Sequence, residues 1–151
     1  MIALLQRVTS ASVTVDDETI GAIDAGLLVL VAVEPGDGES QTQRMCERLL
    51  GYRVFSDDTG RMNRSLAETG GGLLLVPQFT LAADTRKGMR PNFTTAAPPE
   101  QGEHWFNRLV DIARAAYPKV ATGQFGAHMQ VRLVNDGPVT ILLRSSMIAA
   151  E

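Results

Sequence analysis

The sequence predicts an α+β fold: a curled antiparallel or mixed β-sheet, or an open β-barrel, with two main helices packed on one side. Three observations lead to it. Short runs of alternating apolar and polar residues recur between Gly, Pro, Asn and Asp clusters, the pattern of strands and turns. Two apolar runs, residues 27–33 and 73–81, have the length of strands buried on both faces. Only two segments, around residues 40–50 and 99–117, carry apolar residues at helical spacing. With 151 residues, 44% hydrophobic and 21% charged, the chain has the size and make-up of one globular domain, 1–151, rather than of a fibrous or disordered protein.

Each element follows in order. Val8, Ala11, Val13 and Val15 alternate with Thr9, Ser12 and Thr14, so they form a first strand whose slip near Ser10 marks a bulge. Asp16-Asp17 is a turn, and residues 19–23 are a second strand. The run 27–33 is a central strand, broken by Pro35-Gly36-Asp37-Gly38. Ser40 is expected to cap the first helix, its hydroxyl accepting a first-turn amide. Met45 and Leu49, with Cys46 and Leu50, make that helix's buried stripe, and Gly51 ends it. Cys46 on the stripe reads as a core residue, not a nucleophile. Residues 53–55 make a short strand closed by Asp57-Asp58-Thr59-Gly60. Gly70-Gly71-Gly72 leads into the strand 73–81, which is interrupted at Pro77. Residues 82–99 lack periodicity and form a long loop, the kind that carries function. Pro98-Pro99 opens the second helix, with Trp105, Phe106, Leu109, Ile112, Ala113, Ala116 and Tyr117 on one stripe, and Pro118 ends it. Strands 130–134 and 139–143 flank Asp136-Gly137-Pro138, read as a tight turn between them.

Charge and chemistry narrow the function. Fourteen Lys and Arg against seventeen Asp and Glu leave −3, which argues against indiscriminate coating of nucleic acid. The first forty residues hold one base, Arg7, against seven acids, while bases gather in residues 44–64 and in Arg86-Lys87-Gly88-Met89-Arg90. Such a rim can meet phosphates, although any one arginine also suits a solvated face. One cysteine makes no internal disulfide and suits a reducing compartment. The longest apolar run is too short to cross a bilayer, and Met1-Ile-Ala-Leu-Leu-Gln-Arg is no signal peptide, so a cytoplasmic protein without a membrane partner is expected. There is no Gly-x-Ser-x-Gly elbow, His-Glu-x-x-His pair, phosphate-binding glycine loop or dinucleotide fingerprint. His104 and His128 are scattered, and with a single cysteine they build no zinc site, so neither metal nor cofactor is expected. Two stretches stand out instead. Pro77, Gln78 and Thr80 interrupt an apolar strand, which an exposed strand edge would also explain. Asn135-Asp136-Gly137-Pro138-Val139-Thr140 has turn composition and a Gly-Pro bond open to the cis isomer.

Together these stretches resemble the D-aminoacyl-tRNA deacylases, known for deacylating D-tyrosyl-tRNA. That family is marked by a Ser-Gln-Phe-Thr-Leu strand and an Asn-x-Gly-Pro-Val-Thr turn; this chain has Gln78-Phe79-Thr80-Leu81 and Asn135 to Thr140 in full. Gln6-Arg7-Val8, Ala11-Ser12-Val13-Thr14-Val15, Leu50-Gly51-Tyr52-Arg53, Gly88-Met89-Arg90-Pro91 and Gly123-Gln124-Phe125-Gly126-Ala127 also look like family sequence, in the family's order.

The resemblance implies a cytoplasmic homodimer, with active sites at the subunit interface, that hydrolyses the ester between a D-amino acid, or mischarged glycine, and tRNA. Gln78, Phe79 and Thr80 would form the catalytic segment, the backbone amides of Phe79 and Thr80 stabilising an oxyanion and the ribose 2′-hydroxyl assisting. Thr80 has also been considered a nucleophile in such enzymes; it is ranked here as a pocket residue first. Gly137 and Pro138, joined by a cis bond, would project into the partner's pocket and reject L-side chains, with Arg7 fixing the turn. Phe125 and Met129 would line the pocket for the terminal adenine, and Arg86, Lys87 and Arg90 would meet acceptor-stem phosphates. Pro77 departs from the family serine. A related group that edits L-alanyl-tRNA shares Pro-Gln at this point, with a trans Gly-Pro bond, so relaxed chirality is one alternative; a non-catalytic tRNA-binding β-module is another, and a structural dimer without substrate a third.

Overall fold

The computed structural model describes residues 1–145. The chain first doubles back at Asp16 and Asp17, whose φ values of 50° and 64° are those of a two-residue hairpin turn that follows the natural strand twist. This turn joins β1 (Ile2–Val15) to β2 (Glu18–Ile23). Strand β1 is long enough to serve two neighbours along one edge. Its first half pairs antiparallel with β3 (Gly26–Ala32), its second half with β2. Its other edge is covered by β8 (Gln130–Arg144) along almost its whole length. Beyond β3 the sheet continues in parallel through β6 (Gly72–Pro77) and β7 (Val120–Thr122). The sheet then curls until β2 meets β7: a Cβ on Gly21 would sit 2.6 Å from the Thr122 carbonyl oxygen. The result is a nearly closed mixed barrel, the curled sheet that the strand pattern predicts.

Helices α1 (Glu39–Gly51) and α3 (Pro99–Ala116) pack on one side of it. Strands β3 and β6 are buried on both faces because alternate side chains serve two cores. Leu27, Val29, Leu73 and Leu75 pack with Met45 and Leu49 of α1 and Phe106, Leu109 and Ala113 of α3. Leu28, Leu74 and Val76 point the other way, joining Val8, Ala11 and Val13 inside the barrel. Cys46 lies in the helix-side core, where burial pushes its thiol pKa up.

Several local readings need correction. Ser40 does not cap α1. Gly38 does, because Gln41 reaches back to accept its amide at 3.0 Å, and the Ser40 hydroxyl only donates to the same Gln41 oxygen. The short strand is shifted to β4 (Phe55–Ser56) and pairs with an unforeseen β5 (Met62–Arg64). An extra turn of helix, α2 (Leu66–Thr69), precedes the glycine tract. It is capped by Ser65, whose hydroxyl accepts the Glu68 amide while Glu68 accepts the Ser65 amide. The glycines then have separate tasks. Gly70 ends α2 at φ 74°, and Gly72 lies so close to Gly26 across the β3–β6 ladder that a Cβ on Gly26 would sit 2.0 Å from the Gly72 oxygen. Strand β7 was also not anticipated. The Met1 ammonium, buried at the start of β1, donates to Asp37 at 2.6 Å and Glu34 at 3.1 Å and pins the segment after β3.

The largest correction concerns the last strand. Residues 130–134 and 139–143 are not two strands of a hairpin but successive parts of β8, running in one direction along β1. Val8 faces Asn135, and Gln6 faces Thr140. Two steps along β1 thus oppose five along β8, so the residues between Asn135 and Thr140 are forced out of the ladder as a protrusion. The slip expected near Ser10 is the β1 side of this irregularity, between Gln6 and Ser10.

Candidate functional site

Pro77 ends β6, since its ring nitrogen has no proton for a ladder bond. Strand β6 lies between β3 and β7, but its ladder with β7 stops at Leu75, so among the described residues Pro77 has only Val31 of β3 as a ladder partner and sits where the other edge is open. Gln78 makes the last contact with β3, donating its amide to the Val31 oxygen at 2.7 Å. The chain then winds into a 3₁₀ turn, Phe79–Ala82, held by Leu81 N–H to the Gln78 oxygen and Ala83 N–H to the Thr80 oxygen. Gln78-Phe79-Thr80-Leu81 is therefore not a strand. The first amides of any helical turn lack partners within it, and among the described residues those of Phe79 and Thr80 have no acceptor. The Gln78 side-chain amide donates to the Thr80 hydroxyl at 3.1 Å.

This turn forms one wall of a cavity of about 570 Å³. Phe125, Gly126, Ala127 and Met129, from the segment between β7 and β8, form the opposite wall. Phe93, Thr94 and Ala96 to Pro99 of the long loop close the rim, and Gly102 and Phe106 of α3 complete the lining. Gln78, Phe79, Thr80, Phe125 and Met129 are thus brought together as expected. Three further residues, not named as site residues from the sequence, shape the cavity. Phe93 meets Phe79 edge-on, with ring centroids 4.9 Å apart. Gly102 leaves room for the Phe125 ring, which a Cβ there would touch at 3.4 Å. Gly123 lets Met129 approach, since a Cβ would stand 2.8 Å from its sulfur; a glycine inside a helix was the one legible hint among these. Among the described residues, no Asp, Glu, His, Cys, Lys, Arg or Tyr side chain lines the cavity.

The protrusion of β8 lies elsewhere. Gly137 and Pro138 are exposed and do not line this cavity. Their peptide bond is cis, the isomer that the resemblance implies and not the trans form of the L-alanyl-editing alternative. Gly137 has φ 139°, a backbone region closed to other residues. Arg7 does reach the protrusion: its Nε donates to the Asp136 carbonyl at 3.0 Å and one terminal nitrogen to the Val54 carbonyl at 2.7 Å. The basic stretch is also outside the cavity. Lys87 and Arg90 are exposed beside Met89, which is 99% exposed at the loop tip. Arg86 is not free; it makes a two-pronged contact with Asp84 at 2.8 and 2.9 Å, and its guanidinium holds the Asp84 carboxyl at a pKa of about 2. His104 and His128 are exposed and are not among the lining residues, although His128 lies between Ala127 and Met129, which are. Among the described residues no three His, Cys, Asp or Glu side chains gather as a metal would require, and no helix is long and apolar enough to cross a membrane.

The D-Tyr-tRNA(Tyr) deacylase family model matches residues 4–144 of this chain, nearly its whole length. The chain belongs to that family. It is accordingly a hydrolase of the aminoacyl-tRNA ester bond. A D-aminoacyl-tRNA deacylase of Stenotrophomonas maltophilia strain K279a is 68% identical over 145 residues, covering 95% of this chain and 99% of the relative. A D-aminoacyl-tRNA deacylase of Xanthomonas oryzae pv. oryzae strain MAFF 311018 has the same identity and coverage. Among solved structures, a c-Myc DNA unwinding element binding protein superimposes with a TM-score of 0.91 at 41% identity, covering 95% of this deacylase-family chain and 98% of that one.

Proposed function

We propose that the protein removes D-amino acids, and glycine, from mischarged tRNA by main-chain oxyanion stabilisation with help from the substrate's own 2′-hydroxyl. One observation carries this mechanism: among the described residues the cavity is lined without a titratable side chain, yet two of its lining residues, Phe79 and Thr80, have amides with no acceptor. An aminoacyl ester is already activated, so fixed donors aimed at its developing negative charge supply the main catalytic need. Among the described residues no base lines the cavity to activate water, and the neighbouring ribose hydroxyl, tethered to the same substrate, is the available group at high effective concentration. Thr80 then acts as a pocket residue oriented by Gln78. The terminal adenine stacks on Phe125 beside Met129, while Lys87 and Arg90, and Arg86 in part, meet acceptor-stem phosphates.

The exposed Gly137–Pro138 protrusion, held by Arg7 and remote from the chain's own cavity, acts in a homodimer by entering the partner's cavity. There its carbonyl oxygens bind the substrate's amino group and occupy the space of an L-side chain; glycine, lacking one, passes. The setting is the cytoplasm. The test is direct. Purified protein at micromolar concentration is mixed with D-Tyr-tRNA, L-Tyr-tRNA and Gly-tRNA, and the released amino acid is measured. Turnover of the D and glycyl esters with the L ester spared is expected. Absence of D-ester turnover, or equal turnover of D and L, sinks the reading.

A further inference from the structure

Among the described residues, those that leave the ladder between Asn135 and Thr140 have no strand partner to shape them. Their form has to come from side chains or from contacts with the body of the protein. Arg7 hydrogen-bonds the protrusion at Asp136, and its guanidinium lies against Gly137, where a Cβ would stand 3.1 Å from its terminal nitrogen. Asn135 does more. Its Oδ1 accepts the Val139 amide at 2.7 Å, while its Nδ2 donates to the Thr140 hydroxyl at 2.9 Å and lies 3.4 Å from the Val139 oxygen. One planar amide therefore spans the neck from the last paired residue to the residues where pairing resumes. Only Asn or Gln carries a donor and an acceptor side by side, and Asn is the shorter. Val139, whose amide is held, is itself buried and anchors the returning limb in the core.

We infer that Asn135 is a positioning residue for Gly137 and Pro138, with the Thr140 hydroxyl as its second anchor. It closes the neck of the protrusion so that the two residues at its tip present a fixed pair of carbonyls before any partner or substrate arrives. The inference rests on the reading of this segment as the chirality filter.

The readout is the ratio of kcat/KM for D-Tyr-tRNA to that for L-Tyr-tRNA. A purely structural role lowers both constants in proportion to the folded fraction and leaves the ratio alone. Asn135→Ala is expected to lower the ratio about tenfold or more, as loosening a group held by two hydrogen bonds would. Thr140→Val, nearly the same shape but without the hydroxyl, should lower it too, and it carries the test if Asn135→Ala does not fold. Thr140→Ser, which keeps the hydroxyl, should retain the wild-type ratio. Pro138→Ala is the control for the underlying reading. A lowered ratio in Pro138→Ala with no change in Asn135→Ala or Thr140→Val overturns the role of Asn135 alone. An unchanged ratio in Pro138→Ala removes the filter, and the inference with it.

Discussion

At the residue scale, Thr80 and Asp84 separate main-chain chemistry from side-chain chemistry. The Thr80 hydroxyl is already engaged as an acceptor for Gln78, and among the described residues no base lines the cavity to take its proton. Thr80→Ala should therefore lower kcat by roughly tenfold or less, the cost of one positioning hydrogen bond. A covalent nucleophile would instead lose more than about 10⁴-fold on removal, measurable in single-turnover deacylation of D-Tyr-tRNA. Asp84 limits what Arg86 can do for RNA. Because Arg86 depresses the Asp84 pKa from 3.8 to about 2, the pairing persists at all pH values above the ordinary carboxylate range and is lost only as pH falls through about 2. At neutral pH Arg86 is thus always offset by an anion. Asp84→Asn should free one cation, tightening tRNA binding and steepening the slope of log K against log salt by about 0.7 to 0.9, the share of one phosphate contact. An unchanged slope in filter binding would mean that Arg86 faces no phosphate.

At the element scale, legibility followed the reach of each signal. Strands β1 to β3 and helices α1 and α3 were readable because alternation and helical periodicity are local and long enough to count. Strands β5 and β7, at three residues each, are too short to show a period, and they exist because a partner is supplied, by β4 in a small hairpin for β5 and by β6 of the main sheet for β7. Helix α2 was readable in principle, as Ser65 and Glu68 have capping-box spacing ahead of Leu66, but four residues hold no periodicity to confirm it. Asn135 to Thr140 was misread for a deeper reason. Asp-Gly-Pro has turn composition whether the chain reverses or bulges, and only the register of β8 against β1 decides between them. The cavity was legible on two walls, at residues 78–80 and at 125 and 129, through resemblance rather than periodicity; Phe93 became visible only in three dimensions. The glycines at the β3–β6 ladder give an element-scale test. Gly26→Ala places a methyl 2.0 Å from a main-chain oxygen that cannot move without shifting β6. It should cost about 3 kcal/mol, the upper end for overpacking, in urea denaturation. Gly51→Ala, with nothing within 4 Å, should instead be neutral or stabilise by about 0.5 kcal/mol through helix propensity. Equal effects from the two would show that the close strand contact is not what the glycine serves.

At the scale of the whole molecule, Gly137 and Pro138 do not line the cavity of their own chain, and in the proposed dimer two chains exchange them. The surface around the protrusion favours this arrangement. Leu133, Val134 and Leu142 of β8 are 36%, 57% and 48% exposed, apolar side chains flanking the neck on a strand whose other edge has no neighbour among the described residues. Subunit mixing distinguishes exchange from action within one chain. Phe125→Ala spoils the cavity and spares the protrusion; Pro138→Ala spoils the protrusion and spares the cavity. In a two-fold dimer, each mixed pair has one site in which an intact cavity receives an intact protrusion, and one in which both are damaged. Equal amounts of the two variants, unfolded and refolded together, make half of the dimers mixed, so D-selective turnover should return to about a quarter of wild type although neither parent has it. If the protrusion serves its own chain, every cavity stays matched with its original defect, and the mixture shows only the average of its parents. Recovery above that average, growing with the mixed fraction as one variant is titrated against the other, is the outcome that the exposed position of Gly137 and Pro138 demands.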